Sequence, residues 1–412
     1  MKILDITSRL PYPLIDGARI CMYQLVDGLA SQGHQVHVVA IDEEMSDPGP
    51  MRDFAQVHVV PLKNAPKVVG ALTTLLNPNP YTQLKRDRRE VYTLLDNLQE
   101  REQFDVVVAD QAHIAQYGSY MKRRHGLPYV LRCHNIEHEI YERHIPTLRN
   151  PAMRFYVDLQ ARRWARFEQD EMRQADACVA ITERDRIAIE KMAPGVPVVT
   201  IPAAVDLRAF PYHDPEQREE KSMIMLGNMA WPPNRNSVLW FTKEILPLVL
   251  QRVPDAVCYI VGDNPPLDEL PPASDNVRIE GRVPSIAPYY ARVAVGLIPL
   301  NVGGGMRVKM VEMMSSGMPI VSTRQGAEGN DAVPGQHYLQ ADTPDAFADA
   351  VARLLNDRGE QIRLARAARD FVAGRYSVEQ TSRSLETVMM QAIQRNRNGR
   401  ADARHGKDGS GQ

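Results

Sequence analysis

Cysteine is scarce and scattered: Cys21, Cys133, Cys178 and Cys258 are the only four in 412 residues. That spacing offers neither a disulfide framework nor a paired-thiol motif, and it points to a reducing compartment. An excess of one charge is also missing. The 49 Lys and Arg nearly balance the 51 Asp and Glu, for a formal net charge of −2, so no whole-chain basic field exists to attract nucleic acid. Nucleic acid is therefore not an expected partner. No apolar run approaches the ~20 residues of a spanning helix. The stretch MKILDITSRLPYPLIDGAR passes from a short apolar run into polar, proline-bearing sequence, without the apolar core and cleavage site of a signal peptide. The expected location is the cytoplasm, with peripheral contact at the inner face of the membrane left open.

What is present suits an ordinary globular protein, 44% apolar and 24% charged. The length gives room for two domains, each with its own core. KILDI (2–6), QVHVVAI (35–41), FDVVVAD (104–110), PYVLRC (128–133), DACVAI (176–181) and VPVVTIP (196–202) are short β-rich runs separated by helical sequence. After a polar, proline-bearing stretch at 206–222, SMIMLG (222–227), AVCYIVG (256–262), VRIEG (277–281), VAVGLIPL (293–300) and PIVST (319–323) repeat the pattern. Alternation of this kind predicts parallel sheets covered on both faces. The expected fold is α/β, with two doubly wound Rossmann-like domains facing across a cleft at the carboxyl ends of their strands. The domains are read as 1–205 and 223–378, joined by a linker at 206–222. A helix at 379–394 is expected to pack back on the first domain, and the tail 395–412, which lacks an apolar face, to be disordered.

The run LRCHNIEHEIYERH (131–144) contains H-x-x-E-H, the spacing with which one helix can present two zinc ligands and a glutamate base. That reading needs His134, Glu137 and His138 on a single helix with a third ligand nearby. PYVLRC reads as a strand, which puts His134 in the strand-to-helix turn and separates it from His138. No metal site is predicted, and His134 becomes a candidate cleft residue.

The richest constellation runs from Val293 to Gly329. It reads as a buried strand, a glycine loop at 303–305, a helix ending near Gly317, and another strand from Pro319. Glycines before a helix allow close approach to a ligand, and the first N–H groups of the helix attract an anion, so a phosphate is a sensible guest. Arg307 and Lys309 could neutralise a diphosphate. Glu312, one turn on, could accept hydrogen bonds from vicinal sugar hydroxyls. The competing reading makes Lys309 and Glu312 a surface ion pair worth roughly 0.2–0.5 kcal/mol.

This segment resembles the donor-site signature of family 4 glycosyltransferases with the GT-B fold, in the subgroup carrying G-G-G-x-R-x-K-x-x-E-x-x-x-x-G-x-P. PYPLIDGAR, LRCHNIE, MLGNMAWPPNRNSVLWF and IEGRVPSIAPYY follow in the order of that family. The resemblance implies retaining transfer of a sugar from a nucleotide-diphosphate donor to a glycan or lipid-linked acceptor, without a required metal or other cofactor. It places the acceptor on the first domain and surface polysaccharide assembly as the setting. Carried over, Glu312 binds the ribose, and Gly304, Gly305 and Met306 approach the donor sugar and phosphates. Glu280, Arg282 and Val283 line the base pocket largely through their backbone. Gly227 and Asn228 join the donor-binding set, Gly17 lies near the diphosphate, and His134 faces the reacting centre as the catalytic candidate.

Three features depart from the family. Gly304 stands where a first glutamate is common, eight residues before Glu312. The Arg and Lys that follow the second domain's first strand are not evident in GNMAWPPNRN, which leaves Arg307 and Lys309 as the preferred diphosphate partners and Arg235 as a secondary one. The usual Gly-Gly of the first domain is Gly17-Ala18. A sugar-nucleotide 2-epimerase and a degenerate, non-catalytic nucleotide-sugar-binding protein are the competing functions. The segment 61–90 mixes Val68, Val69, Leu72, Leu75 and Leu76 with Lys63, Lys67, Lys85, Arg86, Arg88 and Arg89. It could lie on an anionic membrane surface, although a flap over the acceptor cleft backed by a solvated basic helix is the preferred reading.

Overall fold

A computed structural model describes residues 1–14, 17–42, 47–62, 77–148, 150–302 and 306–408. The chain divides into two units, Met1–Pro202 together with Thr381–Gln412, and Ala203–Gln380. In the first, the apolar runs form β1 (Lys2–Thr7), β2 (Gln35–Asp42), β3 (Gln56–Pro61), β4 (Val106–Asp110), β5 (Tyr129–Cys133), β6 (Ala177–Ala180) and β7 (Val198–Thr200). They make one parallel sheet in the order β3-β2-β1-β4-β5-β6-β7. Successive side chains alternate between its faces. Leu4 and Ile6 therefore join one core with Val107, Leu131 and Trp164, while Ile3, Val38 and Val108 join another with Leu25 and Leu29. Burial on both sides explains why these strands read as continuous apolar runs rather than as alternating ones.

The second core also takes in Leu385, Val388, Met389 and Ala392. Their spacing of three and four residues puts them on one stripe of a helix, and a single helix runs Val378–Asp408. Its backbone includes residues 395–408, which corrects the expectation of a structureless tail.

In the second unit β8 (Glu219–Leu226), β9 (Val257–Val261), β10 (Val277–Gly281), β11 (Val293–Ile298), β12 (Ile320–Ser322) and β13 (Leu339–Gln340) form a parallel sheet in the order β10-β9-β8-β11-β12-β13. The stretch 206–222 is not a linker. Its last four residues begin β8, and the residues before them are fastened to this unit by Arg218. That buried guanidinium donates to the carbonyls of Tyr290 (2.6 Å), Val293 (2.8 Å) and Ser316 (2.6 Å). The composition looked solvated because a charge that caps backbone carbonyls is indistinguishable, in sequence, from one in water.

Residues 63–76, which hold the apolar half of the basic segment 61–90, lie outside the described residues. Among the described residues no helix is long and apolar enough to cross a membrane.

The carboxyl ends of β8, β9 and β10 are drawn together by backbone contacts. Gly227 N donates to Val261 O at 3.1 Å, and Gly262 N to Gly281 O at 2.7 Å. Gly262 has φ +134°, and a Cβ there would lie 2.0 Å from the Gly227 carbonyl oxygen. Only glycine fits such an approach. We expect Gly262→Ala to cost about 1–3 kcal/mol, read as a lower urea midpoint for the full chain.

Candidate functional site

The second sheet reverses its winding direction between β8 and β11. Ligands of such sheets bind outside the strand ends at that point. The helix Val308–Ser315 follows β11 and carries Lys309 to this place. Its ammonium donates to Leu226 O (2.7 Å) and to Asn234 Oδ1 (3.0 Å), so it reaches across to the end of β8 and to the helix Pro232–Trp240 beyond it. Leu226, Met229, Asn234, Ser237, Pro299 and Lys309 line a small pocket here. Burial pushes the Lys309 amine down to about 8, Arg307 adds to the shift, and Glu312 opposes it.

The turn after β8 is built around Asn228 and Asn234. Asn228 Oδ1 accepts from Ala230 N (2.9 Å) and from Asn264 Nδ2 (3.1 Å), and its carbonyl accepts from Asn234 Nδ2 (3.0 Å). A Cβ on Gly227 would come within 2.5 Å of the Asn234 amide nitrogen. Gly227 and Asn228 thus shape the turn that receives Lys309. Asn234, absent from the sequence-based set, is the residue that joins them to it.

Arg307 is buried at the entrance to the helix, with its Cζ 5.8 Å from the Trp231 ring centroid. Met306 is partly buried against the core around Ile298 and Met310, and Gly304 and Gly305 lie outside the described residues. Glu312 accepts from the Tyr290 hydroxyl at 3.0 Å. Burial raises its carboxyl pKa, against Tyr290 and Lys309. Lys309 and Glu312 therefore bond to different partners instead of forming the surface ion pair. Arg235 is taken up by Glu269. Glu280 closes on Tyr289 near the end of β10. Beside it Arg282 is 85% exposed and 3.6 Å from Asp263, and Val283 packs partly on the core. Glu280 lies on the outer strand of the sheet, two strands from β8, and Arg282 and Val283 follow that strand.

In the first unit His134 follows β5, and its side chain is nearly buried. Its Nε2 lies 2.5 Å from Asp110 Oδ1 and 3.0 Å from Arg132 Nη1, and Gln111 Nε2 approaches Nδ1 at 3.4 Å. Asp110, fully buried at the end of β4, also takes Arg132 Nη1 at 3.1 and 2.9 Å, while Arg132 Nη2 reaches Cys21 Sγ at 2.8 Å. Burial pushes the Asp110 carboxyl up, and Arg132 and His134 together outweigh it and hold it below the usual range. The His134 imidazole is pushed down by burial, against the pull of Asp110. The neighbouring Asp5 carboxyl is driven well up, by burial first and then by Asp110. Gly17 opens the helix Gly17–Ser31, with free space where a side chain would stand.

His134 and His138 do not converge. The helix Glu137–His144 begins three residues after His134, and the buried Glu168 accepts from the N–H groups of Glu137 (2.6 Å) and His138 (3.1 Å) and from His138 Nδ1 (2.8 Å). Glu168 caps that helix start. Among the described residues no group of three or more His, Cys, Asp or Glu is placed to hold a metal ion.

Breaking the buried pair should be costly. Asp110→Asn leaves Arg132 without its counter-charge, and we expect a loss of about 3–5 kcal/mol in urea denaturation at neutral pH. The Asp110 pKa is depressed in the folded state, so its contribution is fully present at neutral pH and is lost as pH falls through that depressed value. The difference between wild type and variant should shrink in acid.

Comparison with known proteins gives consistent matches to both halves. Residues 16–204 match the model of the glycosyl transferase 4-like domain, and residues 220–357 that of glycosyl transferases group 1. A Klebsiella pneumoniae protein named only as an uncharacterized 44.6 kDa protein in the cps region is 19% identical over 397 residues, 93% of this chain and 98% of that one. Among solved structures, sucrose-phosphate synthase from Thermosynechococcus elongatus superimposes with a TM-score of 0.66 at 15% identity, covering 95% of this chain and 99% of that one. Anabaena HepE in complex with UDP gives 0.66 at 14% identity, covering 95% and 100%. WaaG, a glycosyltransferase of lipopolysaccharide biosynthesis, gives 0.56 at 12% identity, covering 92% and 98%. At these identities the structures speak to the fold, which is GT-B with two Rossmann-like domains. Together with the two family models they make this chain a GT-B glycosyltransferase of the group 1 family.

Proposed function

We propose that the chain transfers a sugar from a nucleoside diphosphate sugar to a glycan or lipid-linked acceptor, with retention at the anomeric carbon and no required metal. The observation that carries this reading is the pair of cations, Arg307 and Lys309, brought to the winding reversal of the second sheet by one short helix. Cleavage of the anomeric C–O bond leaves negative charge on the diphosphate, while an acceptor oxygen bonds the same carbon from the same side. The acceptor's hydroxyl proton passes to the departing phosphate oxygen. Cations fixed before that moment stabilise the transition state more than the ground state.

In this reading Arg307 and Lys309 hold the diphosphate, Glu312 the ribose hydroxyls, and Met306 with Gly304 and Gly305 the sugar side. Glu280, Arg282 and Val283 border the base. Gly227 and Asn228 keep the turn in shape. In the first unit, Gly17 and His134 are the candidates that the family resemblance assigns to the diphosphate and to the reacting centre. HepE has been crystallised with UDP and with UDP-glucose, which supports a sugar nucleotide as donor. WaaG's part in lipopolysaccharide biosynthesis and the cps-region relative support surface polysaccharide assembly.

The test is a calorimetric screen of UDP-, GDP- and ADP-sugars, followed by donor hydrolysis and acceptor trials with the best binder. One family of donors should bind. Arg307→Ala should weaken it by roughly ten- to a hundred-fold, the worth of a hydrogen bond to a charged group. No binding by any of the three would overturn the reading.

A further inference from the structure

Of the three tryptophans, Trp164 is buried in the first unit's core, and Trp240 is half-buried with its Nε1–H donating to Glu244 at 3.2 Å. Trp231 is 42% exposed and belongs to none of the hydrophobic clusters among the described residues. Packing does not explain it. Its backbone is nevertheless held on both sides. The N–H donates to Asn228 O (3.2 Å), and the carbonyl accepts from Asn234 N (3.0 Å) and Arg235 N (3.2 Å). A rigid backbone thus presents a large, exposed ring on the very turn that Lys309 reaches.

The ring also has a charged neighbour, the Arg307 guanidinium at 5.8 Å from its centroid. A cation beside an aromatic ring is favourable by itself, and it fixes the order of groups along the site. Glu312 stands one turn beyond Lys309, beside Tyr290. Lys309 stands at the end of β8, and Trp231 lies with Arg307 at the other end. Carboxylate, cations and aromatic ring succeed one another as ribose, diphosphate and sugar do in a nucleoside diphosphate sugar. One face of a pyranose ring is a patch of electron-poor C–H bonds, which suits the negative face of an indole.

We propose that Trp231 is the stacking platform for the transferred sugar and so determines specificity in the donor site. It selects pyranoses with a flat C–H face over those that turn an axial hydroxyl toward the ring. The inference rests on the donor reading above, so its test separates the sugar from the nucleotide.

Calorimetry would compare UDP with UDP-glucose, GDP with GDP-mannose, and ADP with ADP-glucose on wild type, Trp231→Ala and Trp231→Phe. For the pair that wild type binds, Trp231→Ala should weaken the sugar nucleotide by roughly five- to ten-fold and leave the nucleoside diphosphate within about two-fold. Trp231→Phe should retain most of the affinity. Because the ring lies outside the hydrophobic clusters, both variants should stay folded, read as a single cooperative thermal transition. Equal losses for both ligands would overturn the proposal by assigning the ring to the nucleotide or to Arg307, and so would no loss for either. Wild type binding none of the six would remove the donor reading and this inference with it.

Discussion

The two sides of the second unit's sheet meet at one half-buried ammonium. Lys309 leaves the helix after β11 and bonds the last carbonyl of β8 and the side chain of Asn234, and so ties together the elements on either side of the winding reversal. Desolvating an amine is costly without compensating hydrogen bonds. Here the two acceptors are neutral, and the like charge of the nearby Arg307 is opposed by Glu312. In the proposed function, the diphosphate of the donor supplies the anion that this environment lacks, beside the turn after β8.

The first unit uses charge differently. Asp110, Arg132 and His134 lie at the carboxyl ends of two neighbouring strands and bond one another, with Cys21 and Gln111 as further partners. A buried pair of this kind adds little stability over an apolar substitute, but removing one partner is costly. Its effect is to fix the His134 ring, with Nε2 toward Asp110 and Nδ1 toward Gln111. Glu168 does the same for the chain that follows, capping the next helix through two N–H groups. Both sheets concentrate polar groups at the strand ends, where side chains leave the packed interior.

Most of the architecture was legible because parallel strands buried on both faces leave uninterrupted apolar runs. The strands that escaped are edge strands. β3 has exposed and half-buried positions at QVHVV, and β13 spans only Leu339–Gln340. The polar stretch 206–222 was misread because Arg218 satisfies distant carbonyls, a role that composition cannot reveal. Within the site, Arg307, Lys309 and Glu312 were visible since one helix carries them a few residues apart. Asn234 and Tyr290 were not, since they meet Lys309 and Glu312 across 75 and 22 residues of sequence. Asp110 and Arg132 did leave a signal, each a charge near the carboxyl end of an otherwise apolar run. In the H-x-x-E-H spacing, the strand in front of the motif keeps His134 and His138 on different partners, Asp110 and Glu168.

The central claim is that Lys309 is a cation awaiting a diphosphate, and proton linkage tests it most directly. Its pKa lies at about 8 in the free protein, and an adjacent phosphate must raise it. Calorimetric titration with the bound nucleoside diphosphate, in buffers of different ionisation enthalpy from about pH 7 to 9.5, should show proton uptake above pH 8 and an affinity that falls as pH rises. Lys309→Met should abolish both trends. A pH-independent affinity without proton uptake in the wild-type protein would contradict the account.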